Sequence, residues 1–237
     1  MTTSGEYERD DRWTAVDTYS FSHLHPQHKA EPSHETLEHA LSTSKEAGLP
    51  DIAVSPSQGK YLKLQAQLVR AKNILEVGTL GGYSTIWLAS SGPDVKVLSI
   101  EVDQHHAEVA RRNIAHAGYE NRVEVRLGAG VDVLREVVEE VRAGKREKFD
   151  LVFIDADKEN NWNYVDAAAG ISNKGAAIIV DNVVRKGRVA NPDSGDSRIE
   201  GTRRVIENIG TDDRLDGVVL QTVGEKDYDG FLLSIVK

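Results

Sequence analysis

The sequence predicts an α/β fold built on a mostly parallel sheet. Three observations predict it. FDLVFIDADK, residues 149–158, and AAIIVDN, residues 176–182, are apolar, β-branched runs without polar alternation, as strands buried on both faces of a parallel sheet require. NILEVGTLGGYS, residues 73–84, reads as a strand, a glycine turn and the start of a helix, the general layout of a nucleotide site. The chain ends on two strand-like runs, GVVLQTV and FLLSIV, joined by GEKDYDG. That link is too short for a parallel crossover and implies a closing antiparallel hairpin.

Residues 1–33 read as an irregular arm and residues 34–237 as one domain, since the length demands no second one. The arm region carries His23, His25 and His28, with His34 and His39 beyond. Their spacing does not suit zinc and no cysteine assists, so a solvated or partner-contacting arm is expected. A helix is expected over residues 34–47, with Leu37 and Leu41 inward, and another over 60–71, with Tyr61, Leu64, Leu68 and Ala71 on one stripe. AGLPDIAVSPSQG separates them.

The first strand covers Ile74–Val77 and the turn Gly78–Gly82. The spacing is G-x-x-G-G, so the dinucleotide fingerprint G-x-G-x-x-G is absent. A carboxylate at Glu76 would repel a pyrophosphate and favour a cationic ligand such as S-adenosylmethionine. The alternative is a solvated acid in an ordinary turn. The next strand, VKVLSIE, ends on Glu101, where a strand-end carboxylate takes ribose hydroxyls. Alternatively Glu101 serves the following helix dipole, although Asp103 stands at the capping position. That helix turns Ala107, Ala110, Ile114 and Ala117 inward and stops at Gly118, with His105, His106 and His116 solvated or packed.

VEVRLG is the third strand. Ala129 and Gly130 after it admit a flat adenine or form a plain loop. A helix over 131–143 and the charged turn AGKREK lead to the fourth strand. The helix over about 159–171 carries Trp162 and Tyr164, as pocket wall or as core. After the fifth strand comes a long loop, VVRKGRVANPDSGDSRIEGT, at the mouth of the expected site, then the helix RRVIENI.

Composition narrows the function. A net charge of −9 speaks against nucleic acid or an anionic membrane as partner. No apolar run approaches a membrane span, and the polar, acidic start MTTSGEYERDDRW is neither a secretory signal nor a transit peptide. With no cysteine there is no disulfide, thiolate metal site or cysteine nucleophile, and the cytoplasm is the default location. In an open α/β sheet, ligands bind at the C-terminal ends of the strands. Asp155, Asp181 and Asn182 would lie side by side there if their strands are neighbours. Two carboxylates and an amide oxygen suit Mg²⁺ or a similar hard cation. Lys158, one turn after Asp155, would reach a substrate held at that ion.

LEVGTLGGYS, the strand-end Glu101, FIDADK and VDNVVRKGRVANP together resemble the cation-dependent class I O-methyltransferases, the caffeoyl-CoA and catechol O-methyltransferase-like enzymes. The resemblance runs from about residue 54 to the C-terminus. It implies a Rossmann-like, seven-stranded sheet with helices on both faces, S-adenosylmethionine, a divalent cation (Mg²⁺, Mn²⁺ or Ca²⁺) and a homodimer. It further implies methyl transfer to an ortho-dihydroxy phenolic acceptor, with Lys158 as base beside Asp155 and Asp155, Asp181 and Asn182 as metal ligands. Val54, Glu76, Gly78, Thr79, Ser84, Glu101, Ala129 and Asp155 match its cofactor-contacting positions. The chain departs from the family at Arg185, where an aromatic is common, and at Trp162, near where a tyrosine is common. Both should border the acceptor. A nicotinamide-dependent oxidoreductase and a non-catalytic dimeric binding protein on the same fold are the alternatives.

Overall fold

In the computed structural model, which describes residues 10–226 and 228–237, three helices precede the sheet: α1 (Asp11–Leu24), α2 (His34–Glu46) and α3 (Pro56–Leu68). Strand and helix then alternate: β1 (Asn73–Val77), α4 (Tyr83–Ala89), β2 (Lys96–Glu101), α5 (Gln104–His116), β3 (Val123–Leu127), α6 (Gly130–Arg142), β4 (Phe149–Ile154) and α7 (Asn161–Ile171). β5 (Ser172–Asp181), α8 (Ser197–Thr211) and the hairpin of β6 (Leu215–Val223) and β7 (Tyr228–Val236) complete the chain. The seven strands lie in the order β3-β2-β1-β4-β5-β7-β6. β1 to β5 pair in parallel and β7 runs antiparallel to both β5 and β6, which is the expected Rossmann-like sheet.

Two apolar cores cover the two faces of the sheet. In β4, Leu151 and Phe153 enter one core and Val152 and Ile154 the other. In β5, Ala177 and Ile179 alternate in the same way with Ile178 and Val180. Burial on both sides is why these strands carry no polar alternation. α6, α7 and α8 fill the first face, and α2 to α5 the second.

The arm is not irregular throughout. Asp10 caps α1 by accepting the Arg12 N–H at 2.9 Å. α1 buries no residue fully, so it lacks the apolar stripe that would have announced it. It docks through Phe21, which packs against the core with its ring 6.3 Å from that of Trp87, and by polar contacts: Lys60 Nζ donates to the Leu24 carbonyl at 2.7 Å, and Asp17 accepts from Ser57 Oγ at 3.2 Å and from the Glu225 N–H at 2.9 Å. His25 is buried rather than solvated. Its ring packs 5.0 Å from that of Trp87, its Nε2 donates to the Pro32 carbonyl at 2.9 Å, and burial pushes its pKa down. Among the described residues, no three histidine, cysteine, aspartate or glutamate side chains could hold a metal ion.

The inward stripes of the early helices also differ from expectation. Leu64 and Leu68 of α3 are 46% and 74% exposed, while Gly59, Leu62 and Ala66 face the core. At Gly59 a Cβ would meet the Trp87 ring at 2.3 Å, so α3 seats its glycine face on α4. In α2, Leu37 and Ala40 are buried and Leu41 is exposed. α8 makes a similar close contact: a Cβ at Gly201 would lie 2.2 Å from the Lys158 carbonyl oxygen, in the 3₁₀ turn Lys158–Asn160. Gly201→Ala should therefore cost about 1–3 kcal/mol, the scale of overpacking a tight contact. Urea denaturation reads this directly, and an unshifted midpoint would show slack between α8 and the turn.

Candidate active site

The chain builds β1, β2 and β3 outward in one direction, then crosses back to build β4 and β5 in the other. The switch lies between β1 and β4, and ligands bind outside the strand ends at such a point. A cavity of about 1400 Å³ opens there. Val54, Gly78, Thr79, Ser84, Glu101, Ala129, Asp155, Lys158, Asp181 and Asn182 line it. Of the site residues expected from the sequence, Glu76 alone does not.

One half of the cavity is shaped by the turn after β1. Gly78 has a φ of 101° and Gly82, at the start of α4, a φ of 82°, conformations that suit glycine. Glu101 fixes this turn. Its Oε2 accepts the N–H groups of Thr79 at 3.2 Å and Leu80 at 2.8 Å, and its Oε1 those of Val102 and Asp103, each at 2.9 Å. Asp103 caps α5 through the His106 N–H. Glu101 is thus a structural clamp as well as a cavity residue. His106 also lines the cavity, its Nδ1 3.8 Å from Glu101 Oε1.

Glu76 does not line the cavity. It shares its side of β1 with Ile74, under the turn, and is fully buried. Ser84 Oγ and Ser99 Oγ each donate to it at 2.6 Å, and Thr85 Oγ1 donates to its second oxygen as well. Burial outweighs these hydroxyls and pushes its pKa up to about 7. The carboxylate holds Ser84, which does line the cavity, from behind.

The other half lies at the ends of β4 and β5. Ile154 pairs with Val180, so Asp155 and Asp181 follow at matching positions. Lys158 is largely buried and its Nζ donates to Asp155 Oδ1 at 2.8 Å. Burial, and then the neighbouring Asp155, push the Asp181 pKa up, while Lys158 pulls it down. The Asn182 N–H donates to Asp181 at 2.7 Å. Asn182 has a φ of 56°, which asparagine tolerates better than most residues.

Tyr164 lines the cavity and donates to the Asp157 carboxylate. Trp162 does not border the acceptor space, contrary to expectation; it packs on the core beneath α7. Arg185 does line the cavity. Asp17, Gln58, Tyr61, Arg198 and the turn Thr222–Lys226 complete the wall. They come from elements distant in sequence, and no local motif marks them.

A family model described as O-methyltransferase matches residues 27–234. The chain belongs to this O-methyltransferase family. It is 49% identical to O-methyltransferase imqG of Aspergillus flavus, over 99% of this chain and 95% of that protein. It is 47% identical to a catechol O-methyltransferase of Mycobacterium tuberculosis, over 84% and 87% of the two chains. The O-methyltransferase of Bacillus cereus in complex with SAH superposes with a TM-score of 0.89 at 46% identity, over 96% and 99% of the chains. TomG of Streptomyces achromogenes, an O-methyltransferase of tomaymycin synthesis solved in complex with SAM, gives 0.88 at 39% identity, over 96% and 98%. As a member of the family the chain is an S-adenosylmethionine-dependent O-methyltransferase, which sets aside the oxidoreductase and the non-catalytic binding protein.

Glu76 generates a pH prediction. Its folded pKa lies above the ordinary carboxyl value of 4.5. Its contribution to stability is therefore complete below that value and is lost as pH rises through about 7. Glu76→Gln cannot ionise. Relative to wild type, its unfolding free energy should rise by an amount on the order of 2 kcal/mol between about pH 5 and about pH 8. Parallel pH profiles of the two proteins would contradict a buried, reluctantly ionised Glu76.

Proposed function

We propose that this enzyme methylates a hydroxyl of a catechol-like acceptor, that Asp155, Asp181 and Asn182 hold a divalent cation, and that Lys158 is the base. One observation carries the reading. Two carboxylates, an amide and a sheltered amine converge at the paired ends of β4 and β5, facing the same cavity as the glycine turn. The donors are all hard oxygens, which fits Mg²⁺, Mn²⁺ or Ca²⁺ and not a thiolate-seeking metal. Two relatives named catechol O-methyltransferase, 46% and 47% identical, support the acceptor class.

When bound, S-adenosylmethionine supplies an electrophilic methyl group, and the divalent ion supplies positive charge beside the acceptor oxygens. The chain's own residues do the rest. The turn Gly78–Gly82, Glu101 and Ala129 hold the cofactor on one side of the cavity. Tyr61 and Phe231, with ring centroids 4.7 Å apart, give the acceptor an aromatic wall and exclude water. Lys158 takes the hydroxyl proton at Nζ. The resulting ammonium stays against Asp155 Oδ1, the contact already present at 2.8 Å. Alignment of the reacting partners, fixed by these elements, supplies much of the rate.

Lys158→Met should lower kcat by about 100- to 10,000-fold, the range for loss of a general base. Binding of S-adenosylhomocysteine, followed by calorimetry, should change little. A variant that keeps wild-type kcat would rule out Lys158 as base. Dialysis against a chelator should abolish turnover of a catechol, and added Mg²⁺ or Mn²⁺ should restore it. Full activity in metal-free, chelated enzyme would rule out the cation.

A further inference from the structure

After β5 the chain turns through three non-glycine residues in the left-handed region, Asn182, Arg185 and Lys186, with φ of 56°, 54° and 56°. Such conformations are strained for a bulky residue and persist only where the surroundings impose them. Here the hairpin imposes them. The Val183 N–H donates to the Gly230 carbonyl at 3.0 Å, and the N–H groups of Val184 and Arg185 donate to Asp229 Oδ1 at 3.0 and 2.9 Å. The backbone at Arg185 is thereby fixed, and its side chain lines the cavity shared with Lys158 and Asp181.

The Nε of Arg185 is buried and has no hydrogen-bond partner among the described residues. An unmet buried donor is unfavourable. The other lysines and arginines on the cavity wall are matched: Lys158 with Asp155 at 2.8 Å, Arg198 with Asp196 at 3.3 Å and Lys226 with Asp51 at 3.0 Å. Among the described residues, no carboxylate pairs with the Arg185 guanidinium. Acids on the same wall do not serve it: Asp17 accepts from Ser57 and the Glu225 N–H, and Asp229 accepts from the backbone. Nε is one arm of the fork with which arginine grips a carboxylate through two parallel hydrogen bonds.

We propose that Arg185 is a specificity-determining residue that selects acceptors bearing a carboxylate on the ring. The proposal rests on the catechol reading above and names a substrate class within it. A ring carboxylate would meet the vacant Nε donor and bring a negative charge to an unpaired cation. A neutral ring leaves that donor unmet.

The test compares protocatechuate with its methyl ester, which has the same ring and hydroxyls but no charge. Wild type should show a kcat/KM for the acid about tenfold or more above that for the ester, the scale of one charged hydrogen-bond pair. Arg185→Gln should collapse this ratio about tenfold, and Arg185→Lys should keep part of it. A wild-type ratio near one, or a ratio unmoved by Arg185→Gln, overturns the proposal. If wild type turns over neither compound, the catechol reading fails on its own. The arginine is then judged by calorimetric binding to enzyme loaded with S-adenosylhomocysteine. Tighter binding of the acid than the ester, lost in Arg185→Gln, upholds the selection; equal binding in wild type overturns it.

Discussion

At Gly78 the turn after β1 passes so close to the end of β4 that a Cβ there would sit 2.2 Å from the Asp155 carbonyl oxygen. This contact joins the two halves of the site. On one side is the glycine turn, held by Glu101 and by the Gly78 N–H donating to the Ile100 carbonyl at 2.9 Å. On the other is Asp155, whose N–H donates to the Val77 carbonyl at 2.8 Å and whose side chain holds Lys158. Any residue larger than glycine would push the halves apart. A displacement reaction depends steeply on the distance between donor and acceptor, so the spacing of the reacting groups is set here by the backbone.

Acids crowd this edge of the sheet, and each is managed differently. Glu101 is satisfied by four backbone N–H groups. Glu76 is buried under three hydroxyls and resists ionisation. Asp155 has the Lys158 amine. Asp181 accepts from the Asn182 N–H, and both burial and its neighbour Asp155 oppose its charge. A bound cation would relieve that opposition. The same chemical group thus acts as clamp or as support according to what surrounds it.

Much of this was legible in the sequence because the strands announce themselves. Two-sided burial forces unbroken apolar runs, and the polar residues that end them fall at the ligand edge. Asp155, Lys158, Asp181 and Asn182 come together for that reason. Glu76 was placed at the right strand end, but its full burial beneath the turn was not foreseen. Ile74 and Glu76 share one face of β1 while Leu75 and Val77 share the other. The hydroxyls of Ser84, Thr85 and Ser99 were the available sign that this carboxylate had internal partners. α1 escaped because it buries nothing fully and binds through the single aromatic Phe21 and the polar Asp17, which make no periodic stripe. The α3 stripe was misread because a glycine, not a leucine, makes its closest approach to the core. Trp162 and Tyr164 are two positions apart on α7, and only helix orientation decides that the tyrosine reaches the cavity.

The account places acceptor chemistry at the joined ends of β4 and β5, within reach of the cofactor turn. The most direct measurement is anomalous diffraction from crystals of the enzyme grown with Mn²⁺, S-adenosylhomocysteine and a catechol. The account predicts an anomalous peak among Asp155, Asp181 and Asn182, with the acceptor oxygens on the same ion and one hydroxyl beside Lys158 Nζ. Ordered S-adenosylhomocysteine in the cavity with no Mn²⁺ at these three residues, or with the catechol bound away from Lys158, would contradict it.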